Sequence, residues 1–154
     1  MSEGLITCGI YLNESGVNTT ATPYSYTVNQ TFYQSGTQSL QIFSIPVYAA
    51  SLAIRFTMPN QTIYFTNSDH CSIINSTWGF QVSGPISKST SVKASSTSST
   101  SVVIPGIDVT FTTSSDTTLY VAVICRPTSG YSGQTITWTN QIVTATLKAI
   151  TISI

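Results

Sequence analysis

The chain has 154 residues, which is the length of one domain and enough to bury a sizeable core. Charged residues are only 6% of it, and five Lys/Arg balance five Asp/Glu. The apolar runs fall far short of the roughly 20 residues of a membrane-spanning helix, and the scattered cations form no basic stripe for nucleic acid. Because 41% of the residues are hydrophobic, a disordered chain is also excluded.

Ser and Thr supply the polarity instead, at about a third of the chain. A surface of hydroxyls and amides keeps its character from strong acid to neutral pH, and low net charge gives little repulsion between copies. Both properties favour a virion or extracellular surface. The segment Met1–Leu5 lacks the basic and apolar regions of a secretory signal. Either a signal has been removed from this chain, or the protein reaches the outside by another route, such as assembly into a virus particle inside the cell; we favour the second.

Period-two apolar patterns predict short strands along the chain. The first six predicted strands cover Ile6–Leu12, Thr22–Tyr33, Leu40–Val47, Leu52–Met58, Ile63–Phe65 and Trp78–Val82. Pro46 predicts a sheet edge or a strand end, since proline cannot donate to the ladder. Arg55 is predicted to face away from the core.

The Ser/Thr-rich stretch Ser87–Ser101 predicts an exposed strand or long loop. After it, Ile107–Thr112 and Leu119–Cys125 are predicted to form a hairpin at the centre of the core, joined by a polar loop. Leu119–Cys125 is apolar on both faces, which is typical of a strand in mid-sheet or under a cover.

About eight to ten strands with frequent turns, and no apolar residues at helical spacing, indicate an all-β fold. We predict a single domain over residues 1–154, a two-sheet antiparallel β-sandwich of jelly-roll type in preference to an immunoglobulin-like one.

The alternation of apolar residues changes phase within the C-terminal segment 142–154. Val143 to Ala149 share one parity, whereas Ile150, Ile152 and Ile154 share the other, which predicts a bulge near residues 148–150 or a move to another sheet. Two interpretations stay open. The segment completes the domain's own core, or its apolar tail adds a strand to a neighbouring subunit.

Few residues of the sequence indicate a catalytic or metal site. Asp69, His70 and Cys71 are consecutive, but neighbours in an extended segment point to opposite sides, and no nucleophile motif accompanies them, so we predict a surface loop and no catalytic residues. Cys8, Cys71 and Cys125 lack the close spacing of zinc ligands, and the carboxylates are too sparse for calcium, so neither a metal nor a cofactor is predicted. Cys8 has the parity of a core residue, and Cys71 with Cys125 is the candidate disulfide.

Five Asn-x-Ser/Thr sequons mark candidate glycosylation sites at Asn13, Asn18, Asn29, Asn60 and Asn75. Exposed aromatic rings could also contact a glycan, and the candidates are Tyr33, Tyr64, Trp78, Trp138 and Tyr131. The two tryptophans share parity with core residues and are predicted to pack inside. Tyr131, between Gly130 and Gly133, is the candidate ligand contact.

Low charge, abundant Ser/Thr, many sequons and short strands resemble virion structural proteins and surface-filament subunits of hyperthermophilic, especially acidophilic, archaea. The resemblance implies a building block without a catalytic site: a capsid, turret, spike or decoration protein, or a strand-exchanging extracellular filament subunit. Its partners would be copies of itself, other virion or surface proteins, and glycans, with no nucleic acid and no membrane span. The alternative function is a carbohydrate-binding or adhesin module.

Overall fold

The structure is a computed structural model, and it describes residues 17–33, 36–49, 53–67, 74–96, 99–129 and 135–152. These ranges contain eleven strands: β1 (Val17–Tyr33), β2 (Gln38–Val47), β3 (Ala53–Met58), β4 (Gln61–Asn67), β5 (Ile74–Ser83), β6 (Lys88–Ser89), β7 (Val92–Ser96), β8 (Ser99–Ile104), β9 (Ile107–Phe111), β10 (Thr117–Ser129) and β11 (Thr135–Ile152). The predicted strand Ile6–Leu12 lies outside the described residues.

Six strands form the first sheet, in the order β8-β4-β11-β3-β9, with β1 also paired to β11. The long strand β11 is its centre. One side of β11 pairs with β1 along almost its whole length, while the other side pairs with β4 at one end and β3 at the other. Between these two pairings, Gln141 accepts a hydrogen bond from the N–H of Tyr64 (3.3 Å) and donates one to the carbonyl of Thr139 (2.8 Å). It thereby satisfies backbone groups where the sheet divides.

Five strands form the second sheet, in the order β2-β10-β5-β6, with β7 also paired to β5. All described pairings in both sheets are antiparallel. The chain passes repeatedly from one sheet to the other, which is how a jelly roll is wound. The predicted fold class is therefore confirmed: an all-β, two-sheet antiparallel sandwich of jelly-roll type.

The core lies between the sheets and follows the period-two pattern. On β10, Leu119, Val121, Val123 and Cys125 have no exposed surface, while the intervening residues face outward. Four aromatic rings from both sheets meet at the centre; these are Phe32, Phe65, Trp78 and Trp138. Such rings bury large apolar areas and dominate core energetics.

The predicted central hairpin is wrong. The strand β9 pairs with β3 in the first sheet, whereas β10 lies between β2 and β5 in the second. Both strands bury one apolar face, so each can line the same core from opposite sides, and the polar segment between them crosses the sandwich. The mid-sheet position predicted for Leu119–Cys125 is confirmed.

The predicted bulge near residues 148–150 is also wrong. Strand β11 keeps an unbroken register with β1 from Gln141 to Ile152. The phase change lies earlier, opposite Asn29, where Asn140 has a positive φ of 52°. Asparagine tolerates this left-handed conformation better than most residues, so the bulge forms there. Before the bulge the even-numbered residue Trp138 is buried, and after it the odd-numbered residue Val143 is buried.

Other predictions are confirmed. Pro46 lies in β2 at the edge of the second sheet, and Arg55 is exposed. The Ser/Thr-rich stretch forms short outer strands, β6, β7 and the start of β8, which bring the strand number above the expected eight to ten.

Candidate assembly surface

The strand β1 is an edge along 17 residues. One side pairs with β11, and no strand of the described chain forms backbone hydrogen bonds with its other side. Residues 17–33 include no Asp, Glu, Lys or Arg. Charged side chains, especially Lys, are a common way to keep an edge from pairing with another chain. This edge lacks that protection, and only Pro23 and the bulge at Asn29 interrupt it.

The strand β2 is the corresponding edge of the second sheet. It pairs with β10 on one side, and its residues 38–47 are likewise uncharged. A register shift in this pairing brings Ile42 and Phe43, two neighbours in sequence, both into buried positions. The bulge and Pro46 are again the interruptions of the edge.

Three aromatic rings join these two edges. Tyr24 and Tyr26 of β1 pack edge-on against Phe43 of β2, with ring centroids 6.2 and 6.4 Å apart. The contacts place β1 and β2 on the same side of the sandwich. We call this side, formed by Val17–Tyr33 and Gln38–Val47, the edge surface. It presents backbone donors and acceptors from both sheets, flanked by hydroxyl side chains, which suits strand pairing between chains.

The C-terminal strand β11 pairs with the side of β1 that faces away from the free edge. The backbone of Ile150 pairs with Thr19 on β1 and with Ala53 on β3, and Ile152 pairs with Val17. Ile154 lies outside the described residues. In this structure β11 therefore pairs with strands of its own chain, and its exchange with a neighbour stays a prediction.

Several candidate residues are placed by the structure. Trp78 and Trp138 have no exposed surface, so they pack inside and offer no sugar platform, whereas Tyr33 and Tyr64 are 53% and 63% exposed. Tyr131, Asp69, His70 and Cys71 lie outside the described residues. Tyr48, Tyr120 and Ile142 are also well exposed, although none of them is among the candidates predicted from sequence. Of these, Ile142 could have been found, because its parity opposes that of Val143.

The sequon asparagines occupy different settings. Asn29 and Asn60 are exposed, and each side-chain oxygen accepts a backbone hydrogen bond, from Asn140 (2.7 Å) and Gly106 (2.8 Å) respectively. Asn75 is half-buried and is hydrogen-bonded to Ser95. Asn18 belongs to β1, and Asn13 lies outside the described residues. Glycosylation stays a prediction at all five.

The predicted disulfide is not formed in this structure. Cys125 carries a free thiol, without exposed surface, in the middle of β10. Burial raises the pKa of this thiol to about 12, so it stays protonated at neutral pH and is a poor nucleophile. Within the described ranges no cluster of His, Cys, Asp or Glu could hold a metal ion. Nor do they contain a helix long and apolar enough to cross a membrane.

No protein-family model matches the sequence, and a search of curated proteins finds no match. Among solved structures, the fold is similar to a chain in the structure of infectious bursal disease virus Gx strain, with a TM-score of 0.52 and 11% identity over 90% of this chain. A chain from the Gt strain of that virus gives 0.51 and 13% identity over 84%. The present chain spans 43% and 37% of their lengths, so less than half of each is matched. At such identities the likeness establishes a shared fold.

Proposed function

We propose that this chain is a non-enzymatic structural subunit of a virus particle and acts by associating with copies of itself. The observation that carries the proposal is the edge surface, two uncharged strand edges on one side of a sandwich. The fold likeness to chains from a virus structure supports it. Backbone hydrogen bonds across such edges would join copies without any charged contact.

The chemistry of the described residues supports a building block better than an enzyme. The buried thiol of Cys125 is held in its unreactive form, and most of the rest of the interior is apolar. Low net charge supports close packing of copies, and a hydroxyl surface supports stability in acid. We therefore extend the proposal to a capsid, turret, spike or decoration protein of a virus of hyperthermophilic or acidophilic archaea.

The oligomeric state tests the proposal directly. Light scattering on the purified chain at pH 3 and pH 7, followed by negative-stain imaging, should give defined oligomers, rings or filaments at both pH values. Hydroxyl and backbone contacts do not titrate in this range, so acid should leave assembly intact. A monomer at both pH values, at concentrations up to the millimolar range, would contradict self-association.

A matched set of substitutions tests whether β1 is the edge that pairs. Pro23 must direct its missing N–H away from β11, because β1 pairs with that strand at this position. Thr27 has the same parity as Pro23 within an unbroken register, so its N–H also faces the free edge. Its side chain is exposed. Thr27→Pro removes that donor without breaking the ladder to β11, and Thr27→Lys places a charge at the edge. Thr27→Ser keeps both the donor and the neutrality.

We expect Thr27→Ser to assemble like the parent chain, and Thr27→Pro and Thr27→Lys to remain folded monomers by circular dichroism and light scattering. If Thr27→Pro fails to fold, Thr27→Lys decides, since it leaves the backbone unchanged. Assembly of Thr27→Lys at the parent level would exclude this edge.

Strand exchange by the C-terminal segment is the second mode of association that the proposal includes. Deletion of Ile150 to Ile154 should leave a folded monomer that no longer assembles if this segment is exchanged. If the segment only completes its own sheet, the deletion should lower the melting temperature of a chain that still assembles. Measuring the melting temperature and the mass together separates these two results.

A further inference from the structure

The outer face of the second sheet carries an unusual row of side chains. Thr77 of β5 is the backbone partner of Arg126 on β10 and of Lys93 on β7. Trp78, the next residue of β5, points into the core, so Thr77 and its two partners face solvent. Adjacent strands are about 4.8 Å apart, which separates the backbones of Arg126 and Lys93 by about 10 Å.

Two shallow clefts meet at this row. One, of about 210 Å³, is lined on its polar side by Thr77, Gln81, Ser89, Ser91 and Arg126. The other, of about 340 Å³, is lined by Asn75, Thr77, Lys93 and Ser95 among others. Thr77 lines both, so the two clefts adjoin each other along β5, and together we call them the groove. The groove combines two cations with a row of hydroxyl and amide groups.

The chain segment that links β6 to β7 forms the wall of this groove. Thr90 donates its N–H to the carbonyl of Phe80 (3.0 Å), and its hydroxyl donates to the carbonyl of Pro105 (2.9 Å). The carbonyl oxygen of Thr90 lies where a side chain at Gly79 would be, 1.8 Å from a Cβ built there. Anchoring at these points holds the wall in place, so the groove is formed before any ligand arrives.

The cations of the groove are not neutralised by the described chain. Arg126 donates a hydrogen bond from Nε to the hydroxyl of Thr37 (3.2 Å). Neither Arg126 nor Lys93 forms an ion pair with a described residue. The two described acids are engaged elsewhere. Asp108 pairs with Arg55 on the first sheet, and Asp116 accepts a hydrogen bond from the N–H of Ala49. Among the described residues, the groove is therefore locally positive.

We propose that this groove binds an acidic polysaccharide, a saccharide chain that carries sulfate or carboxylate groups. Arg126 and Lys93, which flank Thr77 on the two neighbouring strands, would contact anionic groups of the saccharide, while Thr77, Ser91 and Gln81 would hydrogen-bond the sugar hydroxyls. On a particle surface, such a site would attach the subunit to a host-cell coat. The inference goes beyond the proposed structural function and does not depend on it, because one isolated chain contains the whole groove.

Nucleic acid fits the same groove less well. Its affinity comes from neutralising many phosphates, and the described lining of the groove contains only two cations. Single-stranded binding also uses exposed aromatic platforms for the bases. The aromatic residues that border the groove, Trp78 and Phe80, have no exposed surface.

The first test is binding of the purified chain to dextran sulfate and to neutral dextran of equal length, by calorimetry at low and moderate salt. We expect binding to dextran sulfate that weakens as salt rises, and none to dextran. Polygalacturonate serves as the carboxylate probe, and a single-stranded oligonucleotide of equal charge tests the nucleic-acid alternative.

Charge-removing variants locate the site. Arg126→Gln and Lys93→Gln should each raise the Kd for dextran sulfate about fivefold at low salt, and the double variant about 25-fold, given the usual strength of one solvated charge contact. Lys148→Gln is the matched control. It removes the same charge from an exposed position on the first sheet and should leave the Kd unchanged.

A measurement on the unaltered chain makes the result independent of folding of the variants. Acetylation of lysines, read by mass spectrometry, should be slowed by dextran sulfate at Lys93 and unchanged at Lys88 and Lys148. The proposal is overturned by no binding to either acidic polysaccharide, by tighter binding of the oligonucleotide, by an equal effect of Lys148→Gln, or by equal protection of all three lysines.

Discussion

Trp78 and Trp138 face each other across the two sheets with ring centroids 4.8 Å apart, but their indole N–H groups differ in hydrogen bonding. Trp78 donates to the hydroxyl of Ser76 at 2.8 Å, and Ser76 is itself buried. Trp138 Nε1 is buried and has no acceptor within the described structure. The centre of the core therefore contains one satisfied indole and one unsatisfied one.

This difference predicts unequal effects of the same substitution. Trp78→Phe loses the hydrogen bond and leaves the Ser76 hydroxyl without its partner, whereas Trp138→Phe removes an unsatisfied donor. Both lose similar apolar volume, so the free energy of unfolding should fall further for Trp78→Phe, by about 1–2 kcal/mol. Urea denaturation of both variants measures the difference. Equal losses would mean that the Trp78–Ser76 bond contributes nothing net.

The buried thiol of Cys125 should be protected from alkylation. Because its pKa is raised to about 12 by burial, iodoacetamide at pH 8 should modify it only after the chain is unfolded in denaturant. Peptide mass spectrometry before and after unfolding measures this. Rapid modification of Cys125 in the folded chain would contradict its buried position in β10.

The same pKa shift makes stability depend on alkaline pH. The folded pKa lies above the ordinary value of 9.0, so the folded state favours the neutral thiol. Its contribution is fully present below pH 9 and is lost as the pH rises toward about 12. Cys125→Ala should remove that part of the decline while other groups still titrate. The comparison requires denaturation curves of both chains between pH 8 and pH 11.

An exposed ion pair predicts the behaviour in acid. Arg55 on β3 contacts Asp108 on β9 through two hydrogen bonds of 2.9 and 2.6 Å, and these lower the pKa of the Asp108 carboxyl. A lowered folded pKa means that the stabilisation is present above the ordinary Asp pKa and is lost as the pH falls through the folded value. Both side chains are exposed to solvent, so the loss should be small.

Asp108→Asn should therefore remove a small part of the acid dependence and leave a chain that is still folded at pH 3. Thermal melts at pH 7, 5 and 3 compare it with the parent. The melting temperature of the parent chain could instead fall steeply between pH 5 and pH 3, and Asp108→Asn could abolish that fall. This result would show that the pair contributes far more to stability than a surface ion pair should.

We predict that the position of Gly79 does not tolerate an added methyl group. A Cβ there would collide with the carbonyl oxygen of Thr90, a backbone atom that cannot rotate away. Gly79→Ala should therefore lower the free energy of unfolding by several kcal/mol or displace the link between β6 and β7. Gly36→Ala is the control, since a Cβ there meets nothing within 4 Å and only its φ of 121° is strained.

Denaturation of the two glycine variants, together with dextran sulfate binding by Gly79→Ala, tests the role of this wall. We expect Gly79→Ala to lose more stability than Gly36→Ala and to weaken binding even where it remains folded. A Gly79→Ala chain as stable as Gly36→Ala would show that the link yields easily.

The sequence alone determined the local character of most strands. Alternation along Ile54, Phe56 and Met58 predicts which face is buried, because side chains of a strand point to opposite sides in turn. Pro46 likewise predicted an edge, since its ring removes a ladder donor from the strand that contains it. The absence of charge from residues 17–33 was readable as well, but its meaning depended on where that strand lies.

Tertiary structure decided which strands are neighbours. Ile107–Phe111 and Leu119–Cys125 look like a hairpin by sequence distance, yet each lines a different side of the core, because burial of one apolar face is satisfied by either sheet. The groove of Arg126, Thr77 and Lys93 depends on two pairings between residues far apart in the chain. Periodicity carries no information about such pairings, since backbone hydrogen bonds are the same for every residue and the choice of partner comes from packing of the whole core.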